Sequence, residues 1–199
     1  MLLCAGAVAA ACGGGGTSGT ARPSTPLPPT PVVNGNHVIV APKGYAADVP
    51  AGWSTHPVPG PVEAPTQFPP DVYLAPTTRS LADPATILQP SITVACLTPI
   101  AGATDQASAR SQWATVAAGA ASAFPPVTPV AEANLTVAGV PAARFDYRLT
   151  LSGGHTLDRA DVIFVAGKCR WLIRLDTLLG TGKTDQGFAA FLASFKLIS

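Results

Sequence analysis

Between Ala142 and Leu151 the chain alternates apolar and polar residues with a period of two, the repeat of a β-strand rather than of a helix. In AARFDYRLTL, Ala143, Phe145, Tyr147, Leu149 and Leu151 fall on one face, and Arg144, Asp146, Arg148 and Thr150 on the other. Such a strand belongs to a sheet with one dry and one wet face. Ser152, Gly153 and Gly154 turn the chain into a second strand from about Leu157 to Ala166, and Gly167-Lys168 suits a two-residue hairpin with glycine first. If Ala166 and Cys169 flank that turn, Phe164 faces Trp171, Val162 faces Ile173, Asp161 faces Arg174 and Arg159 faces Asp176. Apolar residues then meet apolar ones, and opposite charges meet across the wet face, so the pattern specifies the register.

Around this meander the other elements are shorter. VPAGW, Val49 to Trp53, reads as an extended entry, a tight turn and a return strand, and ITVACL, Ile92 to Leu97, places Ile92, Val94 and Cys96 on one face. A helix is expected from about Asp105 to Ala123, with Trp113, Val116, Ala117, Ala120 and Phe124 at helical spacing and Thr104 or Asp105 as its cap. A second helix, from about Thr184 to Phe195, lines up Phe188, Phe191, Leu192 and Phe195, with Thr184 capping and Asp185 in the first turn. Strands, a helix, an antiparallel meander and a closing helix define an α+β fold, an antiparallel sheet packed with helices. At 199 residues, one globular domain over 37–199 accounts for the chain.

The first eleven residues, MLLCAGAVAAA, are apolar and uncharged, too short to span a bilayer but the length of a signal-peptide apolar region. Ala9, Ala10 and Ala11 directly before Cys12 resemble the lipobox of bacterial lipoproteins. That resemblance implies that residues 1–11 are a signal peptide and that Cys12 carries a diacylglyceryl thioether and an N-acyl chain such as palmitate. Residues 12–36 continue as Gly, Thr, Ser and Pro with one charge, a composition that cannot offset chain-ordering entropy and makes a disordered tether. Of the four cysteines, Cys4 leaves with the signal and Cys12 is lipidated, so Cys96 and Cys169 remain. An oxidising compartment allows a disulfide between them; the alternative is two separate buried thiols.

Charged residues are only 12% of the chain and the formal net charge is +1, which excludes nucleic acid as a partner recognised through bulk charge. GTGKT, Gly180 to Thr184, sits between a strand and a helix, yet a Walker loop requires glycine where Thr177 stands, so no nucleotide is expected. His155, Asp158 and Asp161 are three residues apart, a spacing that cannot put all three on one face of a strand, and His37 and His56 have no second ligand nearby; no metal and no cofactor follow. Asn134-Leu135-Thr136 reads as strand rather than as a glycosylation acceptor. G-x-S-x-G, H-E-x-x-H and C-x-x-C are absent.

VPAGW, VAGVPAARFDYRL, the hairpin DVIFVAGKCRWLIRL and the closing FLASFKL resemble the PsbP-like α/β/α sandwich, as in actinobacterial LpqN-type lipoproteins, over about His37 to Ser199. The resemblance implies a non-enzymatic binding or assembly domain, lipid-anchored to the membrane in the cell envelope and taking an envelope protein or an apolar, lipidic ligand as partner. The competing class is an anchored envelope hydrolase whose catalytic residues come from distant positions. Arg144, Arg148, Arg170 and Arg174 are placed together on the wet sheet face. They form either a charge ladder with Asp146, Asp161 and Asp176 or a surface for anionic headgroups or envelope polymer.

Overall fold

A computed structural model of the chain describes residues 31–56, 70–77, 90–97, 107–111, 113–114, 118, 127–150, 154–178 and 184–198. In chain order the strands are β1 (Val32–Asn34), β2 (His37–Val40), β3 (Tyr45–Asp48), β4 (Trp53–His56), β5 (Val72–Pro76) and β6 (Ser91–Leu97). A helix α1, described at 107–111, 113–114 and 118, precedes β7 (Val127–Val137), β8 (Val140–Thr150), β9 (Thr156–Ala166) and β10 (Cys169–Leu178). Helix α2 (Thr184–Ser194) and β11 (Lys196–Leu197) close the chain. The signal segment, Cys12, the tether up to residue 30, the α1 cap at Thr104 or Asp105, Val116, Ala117, Ala120, Phe124, Leu151 and residues 180–183 of GTGKT lie outside the described residues.

Seven strands form the main sheet in the order β4-β5-β6-β10-β9-β8-β7, with every neighbouring pair antiparallel. A second sheet has the order β1-β2-β3-β11. The β9–β10 hairpin has the expected register: Ala166 pairs with Cys169, Phe164 with Trp171, Asp161 with Arg174 and Arg159 with Asp176. Its turn has glycine at the position that needs a positive φ, Gly167 at +59°. The β7–β8 turn is Ala138-Gly139, where both residues have positive φ, 50° and 76°. VPAGW turns at Gly52, φ +79°, but the strands it joins lie in different sheets: β3 is in the four-stranded sheet and β4 edges the main one. Two findings alter the expected boundaries. Val32–Asn34, assigned by composition to the tether, pairs with His37–Ile39. The whole of β7 is an additional strand, of which only Asn134 to Thr136 show strand character in the sequence, because residues 128–134 are all exposed and carry no alternation.

Both faces of the main sheet are dry, over different strands. On one face Ala143, Phe145, Tyr147 and Leu149 of β8 pack with Ile163, Leu172 and the α1 residues Ala109 and Trp113. Trp113 stacks on Phe145 with ring centroids 4.1 Å apart. On the other face Val162, Phe164, Trp171, Ile173 and Leu175 pack with Ile92 and Val94 of β6, with α2 and with the smaller sheet. Phe188, Phe191, Leu192 and Phe195 are buried there as the stripe predicts, at 0%, 1%, 9% and 1% exposure. Tyr45 of β3 lies 5.1 Å from both Trp171 and Phe195, so one aromatic cluster joins the two sheets and the end of α2. The layers are therefore helix, sheet and then helix with a second small sheet.

Cys96 and Cys169 are joined by a disulfide, with Cα atoms 5.1 Å apart. The β6–β10 register opposes Cys96 to Trp171, which brings Cys169 alongside on the same face. The bond spans 73 residues and encloses α1 and β7 to β9, all of which must otherwise find their places by diffusion of a long chain segment. In the chain-entropy description such a loop contributes about 4 kcal/mol. A Cys96→Ala/Cys169→Ala double variant is expected to lose about that much stability by urea unfolding. The wild-type protein, unfolded without reductant, should expose neither thiol to labelling.

Candidate functional site

The antiparallel registers arrange β8, β9 and β10 into rows across the sheet face that carries α2. One row holds Arg144, Val162 and Ile173; the next holds Asp146, Ala160 and Leu175; the third holds Arg148, Asp158 and Thr177. Ala160 is the smallest side chain of this grid and sits at its centre, so the face dips there. The resulting concavity has a volume of about 280 Å³, and Arg144, Asp146, Arg148, Asp158, Leu175 and Thr177 line it. Val130 forms part of its rim at the irregularity where β7 slips register between Pro129 and Ala131. An extra residue at such a point re-aims the edge of a sheet.

Among the described residues two ion pairs flank the dip. Arg144 donates from Nε to both carboxylate oxygens of Asp146, at 2.9 and 3.1 Å, and its guanidinium carbon lies 5.8 Å from the centre of the Phe188 ring of α2. Arg148 donates from Nε to Asp158 Oδ1 at 2.9 Å, and both partners remain substantially exposed, at 48% and 39%. The Ala160 methyl and the Leu175 side chain form an apolar floor between them.

The opposite face of the same strands carries a second, buried set of charges. Arg174 donates from Nε and Nη2 to the two oxygens of Asp161, at 2.7 and 3.0 Å, and the Tyr147 hydroxyl donates to Asp161 Oδ2 at 2.6 Å. Arg159 forks onto Asp176 in the next row, with Nη2 to Oδ2 at 3.0 Å. Burial by itself would raise the Asp161 carboxyl, but the Arg174 charge and hydrogen bonds, aided by Arg159 and Tyr147, outweigh it and hold the group below its ordinary value. Burial, reinforced by Asp161, pushes the Tyr147 phenol up. Burial opposes the Arg174 charge, yet Asp161 and the other acceptors raise it overall. This set ties three central strands together from within the protein.

The four arginines do not share one wet face. Arg144 and Arg148 flank the concavity, whereas Arg170 and Arg174 lie on the α1 side, buried at 6% and 5% exposure. The reason is parity: β8 pairs Phe145 with Asp161, so the apolar face of β8 continues into the charged residues of β9, and its charged face into the apolar ones. The expected ladder of Asp161 with Arg174 and of Asp176 with Arg159 exists, but inside the protein. Ala160 and Thr177 were not singled out from the sequence as site residues, and Asp158 was considered only as a metal ligand with His155 and Asp161. The signal that finds them is the Thr150–Thr156 pairing, and alternation within single strands does not contain it. Asp158 and Asp161 face opposite sides of the sheet, and His155 precedes β9.

One Ser–His contact bears on hydrolysis. Ser54 Oγ and His56 Nε2 lie 3.1 Å apart on edge strand β4. Among the described residues no carboxylate bonds the other ring nitrogen of His56, the place an orienting third member of a triad would take.

No protein-family model matches the chain, and no curated protein does. Solved structures do. The chain is similar to the Ran-binding protein Mog1p of Saccharomyces cerevisiae with a TM-score of 0.53 and 9% identity, over 84% of this chain and 97% of that one. It also aligns with LpqN of Mycobacterium tuberculosis, a protein involved in cell envelope biogenesis, at TM-score 0.48 and 18% identity over 85% of this chain and 90% of that one. Cyanobacterial PsbP from Synechocystis aligns at TM-score 0.48 and 15% identity, over 81% and 91%. The likeness to Mog1p is one of fold.

Asp161→Asn is expected to destabilise the protein by roughly 3–5 kcal/mol, because it leaves the Arg174 charge buried without its counter-ion. Since folding depresses the Asp161 value, its contribution is complete above the unfolded carboxyl value of about 4 and disappears as pH falls through the lower folded value. Urea unfolding across pH 7 to 2 should therefore show an acid loss in the wild type that is smaller in Asp161→Asn.

Proposed function

We propose that this chain is an exported bacterial lipoprotein, anchored to the membrane through acylated Cys12, whose domain binds a ligand or partner in the cell envelope without catalysis. The observation that carries the reading is the Cys96–Cys169 disulfide, a bond that persists in an oxidising compartment and is kept reduced in a cytosol. It joins the apolar run ending in small residues before Cys12, and the Gly/Pro/Thr-rich stretch after it, as a third independent sign of export. The concavity over Ala160 is the ligand-facing feature of the domain, open to solvent and flanked by charges that are not locked in the core. Among the described residues the Ser54–His56 pair has no orienting carboxylate, so it adds no support to the hydrolase reading.

Two acyl chains hold a protein stably on a bilayer where one gives only marginal binding. In a bacterial host that processes lipoproteins, wild-type chain is expected in the membrane fraction with a lipopeptide beginning at Cys12 by mass spectrometry. Cys12→Ala is expected in the soluble extracytoplasmic fraction. Wholly membrane-bound Cys12→Ala, or an unmodified Cys12 in the mature wild type, would overturn the anchor.

A further inference from the structure

We infer that the concavity over Ala160 binds a small zwitterion, an ammonium joined through a short apolar link to an anionic phosphate or carboxylate. The inference rests on reading the domain as a binding module. Arg148 engages Asp158 through Nε alone, and among the described residues its two Nη groups have no partner, nor does Asp158 Oδ2. A pair of guanidinium donors and a carboxylate acceptor therefore stand side by side at one end of the dip. Asp146 and Arg144 flank the far side of Ala160 and the Arg159 charge is tied to Asp176, so among the described residues the rim offers guanidinium and carboxylate in balance. A lone dianion over such a rim is attracted and repelled about equally, and so is a lone cation. A molecule carrying both signs places its anion on the Arg148 donors and its ammonium on the carboxylates. Between them the Ala160 methyl and Leu175 accept methylene groups. A volume of about 280 Å³ suits a headgroup or an amino acid and falls below the usual range for larger ligands.

Burial separates this pair from the other charges of the sheet. The side chains of Arg174 and Asp161 are 6% and 0% exposed, and those of Arg159 and Asp176 are 6% and 18%, so those pairs are fixed parts of the core. Arg148 and Asp158, at 48% and 39%, can re-partner at little expense, as exposed pairs hold each other weakly.

The test is calorimetric titration of the purified full chain carrying Cys12→Ala with O-phosphoethanolamine, β-alanine, inorganic phosphate and ethanolamine, followed by sedimentation with phosphatidylethanolamine or phosphatidylcholine vesicles. At least one zwitterion is expected to bind about tenfold or more tighter than phosphate or ethanolamine alone, because linking two groups makes the second contact intramolecular. Arg148→Gln and Asp158→Asn should each abolish that preference with unchanged melting temperature. Preference for O-phosphoethanolamine together with capture on phosphatidylethanolamine vesicles identifies a lipid headgroup as the source; preference for a soluble zwitterion without vesicle capture identifies a free one. Phosphate binding as tightly as either zwitterion, no binding of either, or an undiminished preference in both variants would overturn the inference. The ranking of probes on the unsubstituted site tests it without reliance on the variants. Anchoring through Cys12 is read separately by fractionation, so failure here leaves that result standing.

Discussion

Asp161 lies inside the main sheet with Arg174 on one neighbouring strand and Tyr147 on the other, and it is fully buried. A carboxylate in that position is tolerated only where its lone pairs are met, and here a forked guanidinium and a phenol meet them. Both partners come from cross-strand positions, so the set is complete only in one register of β8, β9 and β10. A slip of one residue would turn Arg174 or Tyr147 to the other face and leave the carboxylate alone in the core. The pairing that positions every other side chain of the sheet is thus enforced electrostatically as well as by apolar packing.

From that register the rest follows. It puts Phe145 and Tyr147 toward α1, where Trp113 stacks and Arg110 reaches across to Glu132 and Asn134 of β7. It puts Val162, Phe164, Trp171 and Ile173 toward α2 and the smaller sheet. The charged residues of β8 then share the α2 face with the apolar residues of β9 and β10, and they escape burial only where α2 ends its cover, beyond Arg144 against Phe188. The open dip at Ala160 is what remains of that face.

The disulfide acts at the other end of the same face. It ties the start of β10 to the end of β6, beside Trp171 and its contacts with Tyr45 and Phe195. Covalent closure of a 73-residue loop supplements a core whose aromatic residues come from both sheets and α2. The cluster and the disulfide face the region opposite the concavity, so the rigid part of the molecule and its open surface occupy different ends of one layer.

Local pattern alone determined a good part of this. The β9–β10 hairpin, the stripe of α2, the faces of Cys96 and Cys169 and the α+β class are legible because each depends on the period of one element or on a two-residue turn of known geometry. Apart from Asn134 to Thr136, the exposed edge strand β7 was not, since a strand with solvent on both faces carries no alternation. Nor was the division of the four arginines between two faces. Alternation states which residues of a strand share a side, but it is blind to which side of the neighbouring strand they join. That relation depends on how many residues the 151–155 connection leaves out of the ladder, and only the packed sheet decided it, because burying Asp161 between Tyr147 and Arg174 selects one parity over the other.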